Sequence, residues 1–308
     1  EARGLLRLAA VAGRAIDLEV MARLAAGRPA SLDAWLTACA NAAVLELQDG
    51  QWRFAHDKLR DGLRATLDQG ERLALHRQVA EATEQAYPGR ADVAAVLAHH
   101  WREAGDVDRQ RHYARLAGEY AAAQFVNAEA LSYLSCALEL APAGDTRERY
   151  TLLLRREQVY DLLGQREAQR QDLETLQSLA GRLGGGERAG VALRQAQHAF
   201  VTGGYAQAAS AAQAAIELAG QAGEPGAEAA GHLWWGRALW RQGDYAGAQA
   251  RIEQALALAQ IAGCHDVEAG ALQTLGVLCA EQGNYAGSLD YGRQVLAAFR
   301  QLGDRRGE

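Results

Sequence analysis

The sequence predicts an all-α chain: a right-handed α-α superhelix of stacked helical hairpins, preceded by a small domain of three helices and a β-hairpin. Three observations carry this. A short phrase recurs every forty residues: Gly203-Gly204-Tyr205-Ala206-Gln207-Ala208 returns as Gly243-Asp244-Tyr245-Ala246-Gly247-Ala248 and again as Gly283-Asn284-Tyr285-Ala286-Gly287-Ser288. Second glycines follow at Gly223, Gly263 and Gly303; Gly184 and Gly144 extend that series backwards, and Gly164 extends the first. Fixed self-similarity at this period marks a stacked-repeat architecture. Next, the residues between glycines are apolar at helical spacing, as in Leu233, Leu239, Trp240, Ile252, Ala255, Leu256 and Ala259. Finally, near the N-terminus, Asp49-Gly50 separates two short alternating runs, a strong hairpin signal.

One repeat unit reads helix, tight turn, helix, tight turn. Each glycine falls just past a helical run, where a left-handed residue is wanted and the lack of Cβ removes the strain. Alanine at 208, 248 and 255 lets paired helices approach closely, and the tyrosine after each turn carries a ring that can wedge between neighbours. Such a hairpin cannot bury its apolar face alone, so units must stack. The order small-Gly-x-x-large, Gly-x-Tyr-x-x-Ala and a late Ala-Leu resembles the tetratricopeptide repeat. In 229–263 the matching residues are Trp235, Gly236, Leu239, Gly243, Tyr245, Ala248, Ile252, Ala255 and Leu256. In 269–303 they are Leu275, Gly276, Cys279, Gly283, Tyr285, Ser288, Val295 and Leu296, with Gly292 in place of a bulky residue. The match is good for 189–223 and thinner for 150–184. An early unit at 111–144 keeps Gly118, Ala130, Leu134, Ala137, Leu138 and Pro142 but lacks the turn glycine. The period exceeds the usual ~34 residues, so longer helices than average are expected.

In chain order, Leu5 to Val11 reads as a short apolar helix. Asp17 caps a helix through Leu24, and Ser31 caps one from Leu32 to about Ala43. The hairpin follows over 44–54, and a further helix is expected to start straight out of its second strand at Phe54. Three helices and a β-hairpin read as a winged helix over 1–70. A helical linker over 71–125 caps the solenoid, with helices 71–87, 91–104 and 107–124. The tetratricopeptide solenoid occupies 126–308, with helices 126–141, 148–163, 165–182, 187–202, 204–221, 225–242, 244–262, 266–282 and 284–302. Gly184-Gly185-Gly186 reads as the loosest joint of the array. The chain begins with Glu1 and ends at Glu308 where another Gly-Asp turn should lead onward, so it is expected to be a piece of a longer polypeptide.

A DNA-binding reading of the winged helix fails on charge. Between Arg28 and Arg53 there is no lysine or arginine, whereas Asp33 and Glu46 are negative. A groove-reading helix needs cations to approach phosphate. Net charge of −6 likewise disfavours a polyanion surface, and the arginine bias (Lys58 is the single lysine) reads as genomic composition. Ala55-His56-Asp57 at the exit of the wing, with the winged helix before it and repeats behind it, resembles the middle of a STAND-type signalling ATPase, whose winged helix carries Met-His-Asp there. The resemblance implies that His56 contacts the β-phosphate of ADP in the intact protein, beside an upstream nucleotide-binding domain. The bland alternatives are that His56 caps its helix or packs beneath the wing. No GxxxxGK[ST] occurs in the 308 residues, so no cofactor, catalytic residue or metal is assigned to this segment; ATP or ADP would belong to the parent protein.

Other chemistry is sparse. The four cysteines lack ligand spacing and read as small hydrophobes in a reducing, cytoplasmic protein. No apolar run suits a membrane span. His99-His100 beside Trp101 shows no third ligand at a suitable spacing and reads as structural, and Ser135-Cys136 lacks a base. Acidic and basic residues around Arg147, Glu148, Arg155, Arg156 and Glu157 read as solvated helix faces. In tetratricopeptide arrays the first helix of each pair lines the concave face. That register makes Leu193, Gln197, Phe200, Leu233, Arg237, Trp240, Arg241 and Gln273 a candidate groove for a protein, peptide or small inducer carrying a carboxylate. The alternative is that Trp234, Trp235 and Trp240 merely fill space between repeats. The leading expectation is a regulatory sensor segment, with oligomerisation on activation possible. The rivals are a plain interaction scaffold and a segment regulating a fused cyclase or kinase.

Overall fold

The computed structural model describes residues 2–26 and 31–302; Gly303, expected in the second glycine series, lies outside the described residues. Two compact units emerge, 1–142 and 143–308. In the first, α1 (Ala2–Ala12), α2 (Leu18–Ala25) and α3 (Leu32–Asn41) precede the antiparallel strands β1 (Leu45–Gln48) and β2 (Gln51–Phe54). The Asp17 carboxylate accepts from the Glu19 and Val20 amides, and Ser31 accepts from Ala34, so both helix starts are capped as read. Asp49 and Gly50 both take positive φ, 52° and 77°, the primed turn whose twist matches the flanking strands. The register is Leu45 to Phe54 and Gln48 to Gln51. Residues 14–16 lie along the other edge of β2: Ile16 donates to Trp52 at 2.7 Å and Phe54 to Arg14 at 3.2 Å.

The helix expected from Phe54 starts three residues later, as α4 (Asp57–Ala65). Phe54 stays in the strand because its ring is fully buried with Leu5, Leu8, Met21, Trp35 and Leu45. A buried side chain of this size contributes roughly 1.5–3 kcal/mol, more than one extra helical residue returns. Four further helices follow: α5 (Gln69–Ala86), α6 (Ala94–Glu103), α7 (Val107–Ala123) and α8 (Asn127–Leu140). α8 pairs with α7 inside this unit, which ends at Pro142, beyond the boundary expected at 125/126. At the α7–α8 turn, where the repeat lacks its glycine, Phe125 itself takes the left-handed conformation with φ 60°. His76 of α5 packs against His99 and His100 of α6, so the third imidazole missing from the linear spacing comes from the neighbouring helix.

The second unit is a tetratricopeptide-like solenoid. Its helices pair as α9 (Thr146–Leu163) with α10 (Arg166–Ala180), α11 (Gly185–Val201) with α12 (Tyr205–Ala222), α13 (Pro225–Arg241) with α14 (Tyr245–Ala262), and α15 (His265–Glu281) with α16 (Tyr285–Leu302). All boundaries lie within two residues of the expected ones. Gly243 (φ 87°) and Gly283 (φ 79°) stop one helix, and Asp244 or Asn284 then caps the next by accepting the Gly247 or Gly287 amide. Buried alanines line the seams, Ala208, Ala212, Ala215 and Ala219 in α12 and Ala248, Ala255 and Ala259 in α14, with Ile252 the one large residue among them. Gly236 lets α13 touch α14, since a Cβ there would stand 2.4 Å from Ile252 Cγ1 and 3.1 Å from the Ala248 carbonyl.

Four expectations are corrected. Gly184 has extended backbone (φ −176°) at the start of α11, and Gly144 has no positive φ, so the second glycine series does not reach back as left-handed caps. Gly185 and Gly186 belong to the first turn of α11, where a Cβ on Gly185 would meet the Ala222 Cβ at 3.1 Å; the triplet is a close contact and no slack joint. The tyrosines occupy matching first-turn places, but their rings do not all wedge: Tyr205 is half-buried whereas Tyr285 is 71% exposed. Arg241 holds Tyr205, and the place forty residues on is Glu281, which bonds Trp240 instead. The acidic positions near Arg155 are not a solvated face. Glu157, fully buried, accepts from Arg194 at 2.8 and 2.9 Å and from Gln169 at 2.7 Å, and Asp172 is held by Arg156.

Candidate binding site

The first helices of successive pairs pack on one another, α11 on α13 and α13 on α15. Along their shared face the joints differ in charge. Between α9 and α11 the contact is Glu157 and Asp161 against Arg194. Burial lowers the Arg194 pKa, but the two carboxylates more than offset it and the net shift is upward. Between α13 and α15 the cation is Arg237. Its Nε donates to Thr274 Oγ1 at 3.2 Å and its Nη2 to the Gly270 carbonyl at 3.3 Å, and its guanidinium lies 4.8 Å over the Trp234 ring. Among the described residues no carboxylate pairs with Arg237, and burial alone pulls its pKa below the ordinary arginine value. A partly buried cation held only by neutral acceptors retains an uncompensated desolvation cost.

The residues expected in the groove divide into three groups. Phe200, Arg237, Trp240 and Arg241 come together. Phe200 packs its ring 5.6 Å from both Tyr205 and Trp234, Arg241 donates to the Tyr205 hydroxyl at 3.0 Å and lies 5.8 Å over Trp240, and Trp240 Nε1 donates to Glu281 at 2.7 Å. Gln197 lies one joint away, tied to Asp161 at 2.9 Å and to Arg194, while Leu193 is half-buried and Gln273 exposed. Leu233 is 5% exposed and packs with Ile252 and Leu275 in the hairpin core, so it presents no surface to a partner. The sequence reading missed Trp234 as a member of this cluster. Its signal was the forty-residue register, which places it where Arg194 stands. Trp235 faces α14, where Arg251 covers its ring at 3.9 Å, in keeping with a packing role.

His56 stands at the N-cap of α4 with its side chain exposed and no capping hydrogen bond, which removes both bland alternatives for it. The cysteines at 39, 136, 264 and 279 are free and half-buried. No helix among the described residues is long and apolar enough to cross a membrane.

Comparison with known proteins bears on the fold. The family model described as tetratricopeptide repeat matches residues 227–301. No match is found among curated protein sequences. Among solved structures, the chain is similar to a STAND (signal transduction ATPase with numerous domains) protein with a tetratricopeptide repeat sensor from Pyrococcus horikoshii. The TM-score is 0.53 at 14% identity, over 99% of this chain and 51% of that one. The chain thus spans about half the length of that protein. It is also similar to aspartyl phosphate phosphatase F from Bacillus subtilis, with TM-score 0.60 at 14% identity over 82% of this chain and 71% of that one. A Rap protein complexed with competence and sporulation factor gives TM-score 0.57 at 17% identity, over 81% of this chain and 71% of that one. At these identities the likeness is one of fold, and the fold is a tetratricopeptide-like solenoid, an architecture suited to holding other proteins or peptides.

Proposed function

We propose that this chain is the sensor segment of a STAND-type ATPase, with a winged helix at 1–70, a linker at 71–125 and a repeat array at 126–308. Its first-helix face takes an acidic group of a protein or peptide ligand. The observation that carries the ligand half is Arg237: a half-buried guanidinium lying over the Trp234 ring, without the carboxylate that the joint two repeats earlier supplies from within the chain. A ligand carboxylate would satisfy it with a charge-assisted hydrogen bond, worth about twice a neutral one. The order of elements supports the ATPase half, because the likeness to the Pyrococcus horikoshii protein runs through the three-helix and hairpin segment as well as the repeats. In that reading ADP in an upstream domain meets His56, at the start of α4 where free amides and the helix dipole favour anions. Coupling then requires that the ligand bind two states of the protein unequally.

Selecting random peptides on the purified chain and comparing wild type with Trp240→Ala tests the groove. A loss of tenfold or more in affinity, with helicity unchanged, is expected; selected peptides that bind both proteins equally place the ligand elsewhere. For the nucleotide half, His56→Ala in the longer native polypeptide should speed ADP release while leaving the melting of the present segment unchanged, since the side chain is exposed and makes no capping hydrogen bond. Unaltered ADP release removes that role. The second reading, a plain interaction scaffold without a switch, is favoured by the restriction of the family match to the repeats at 227–301.

A further inference from the structure

In the first unit, α5 and α6 bring three imidazoles together: His76, His99 and His100, each offering a ring nitrogen, with these atoms all within 4.8 Å of one another. His76 is 1% and His100 2% exposed, and their Nδ1 atoms approach to 2.9 Å. That contact accommodates one proton between two nitrogens. His76 Nε2 is buried with no hydrogen-bond partner, so the cluster carries a desolvation cost in the ion-free fold. The Ala12 backbone lies near His100 and favours its protonated form, against the larger effect of burial. His99 is exposed and is positioned by Arg102, whose Nη2 lies 3.1 Å from its Nδ1. A cavity of about 410 Å³ opens beside His99 and His100, lined also by Arg60, Arg64 and Tyr133.

We propose that His76, His99 and His100 bind one divalent transition-metal ion of the zinc and cobalt class, with a fourth position open to this cavity. Ring nitrogens bound at ~2.0–2.1 Å around a tetrahedral ion lie about 3.3 Å apart. The buried Nδ1 pair therefore opens by a few tenths of an ångström, and His99, on the exposed side, swings in to close the set. Imidazole nitrogen suits zinc, cobalt, nickel and copper and excludes calcium and magnesium, which take oxygen. The neighbouring charges define the fourth ligand. Arg64, Arg72 and Arg102 are cationic and Glu103 is the carboxylate among them. With Arg60 and Arg64 on the cavity wall, the open position favours hydroxide or a small anion over a neutral group. The ion ties α5 to α6, whose shared core also contains Ala80, Leu97 and Trp101.

Titration of the untagged chain with zinc chloride by calorimetry, and with cobalt chloride by visible absorption, tests this. One equivalent of each ion and the intense visible bands of tetrahedral cobalt are expected. His99→Ala should weaken binding by about tenfold or more, and because this side chain is exposed, its helicity and melting should match wild type without metal. His76→Gln should abolish the cobalt bands. Absence of saturable binding by wild type overturns the proposal and leaves the three rings as a packed hydrogen-bonded cluster. Equal affinity in wild type and His99→Ala also overturns it, since the ion is then held by other residues.

Discussion

Arg194 and Arg237 show how one residue changes the character of a joint in a repetitive structure. Both project between successive first helices. Arg194 meets a fully buried Glu157 and the nearby Asp161, whereas Arg237 meets a hydroxyl and a carbonyl. Removing Arg194 would strand a buried carboxylate, so Arg194→Ala should lower the stability of the chain by about 3–5 kcal/mol, the usual cost of breaking a buried pair from one side. Urea denaturation monitored by circular dichroism measures this, and a change under ~1 kcal/mol would mean that Glu157 is solvated. Arg237→Gln should cost far less, because it removes an uncompensated charge along with two long hydrogen bonds. The sequence could not separate these cases. Glu157 and Arg194 stand thirty-seven residues apart, and nothing in a helical charge pattern distinguishes a residue facing water from one facing the next repeat. The same limit hid His76, which meets His99 and His100 only because α5 and α6 pack side by side.

Among the helices, the sequence was far more legible, because each boundary is written in local chemistry. Asp17 and Ser31 are caps, Asp49-Gly50 supplies two positive-φ residues, and Gly243 and Gly283 end helices where a side chain would be strained. Reading failed where tertiary packing overrules a local signal. Phe54 remains in its strand for the sake of the core, and Gly185 opens a helix in contact with Ala222. Glycines within helices therefore carry opposite roles that substitution can separate. Gly236→Ala places a methyl against Ile252 and the Ala248 carbonyl, and should destabilise the chain by about 1–3 kcal/mol through overpacking. Gly220 in α12 is exposed, and a Cβ there meets nothing within 4 Å, so Gly220→Ala should stabilise by about 0.5–1 kcal/mol through helix propensity. Thermal melts of the two variants should shift in opposite directions. A shift of the same sign in both would refute the close approach of α13 to α14.

At the scale of the whole repeat array, stacking hairpins produces a face whose backbone repeats every 39 or 40 residues while its side chains do not. Periodicity thus reveals where a ligand can lie, and departures from periodicity reveal what it must offer. The α9–α11 joint is closed by the Glu157–Arg194 ion pair and the α13–α15 joint by neutral acceptors of Arg237, so the joints along that face differ in charge. That difference is not written in the sequence, and the absence of a carboxylate beside Arg237 is visible only in the structure. The most direct measurement compares a selected peptide in its acid form with the same peptide amidated at its anionic group, against wild type and Arg237→Gln. The account predicts that wild type binds the acid form at least about tenfold more tightly and that Arg237→Gln binds the two forms alike. Equal binding of both forms by wild type, or a preference for the acid form that survives in Arg237→Gln, would contradict it.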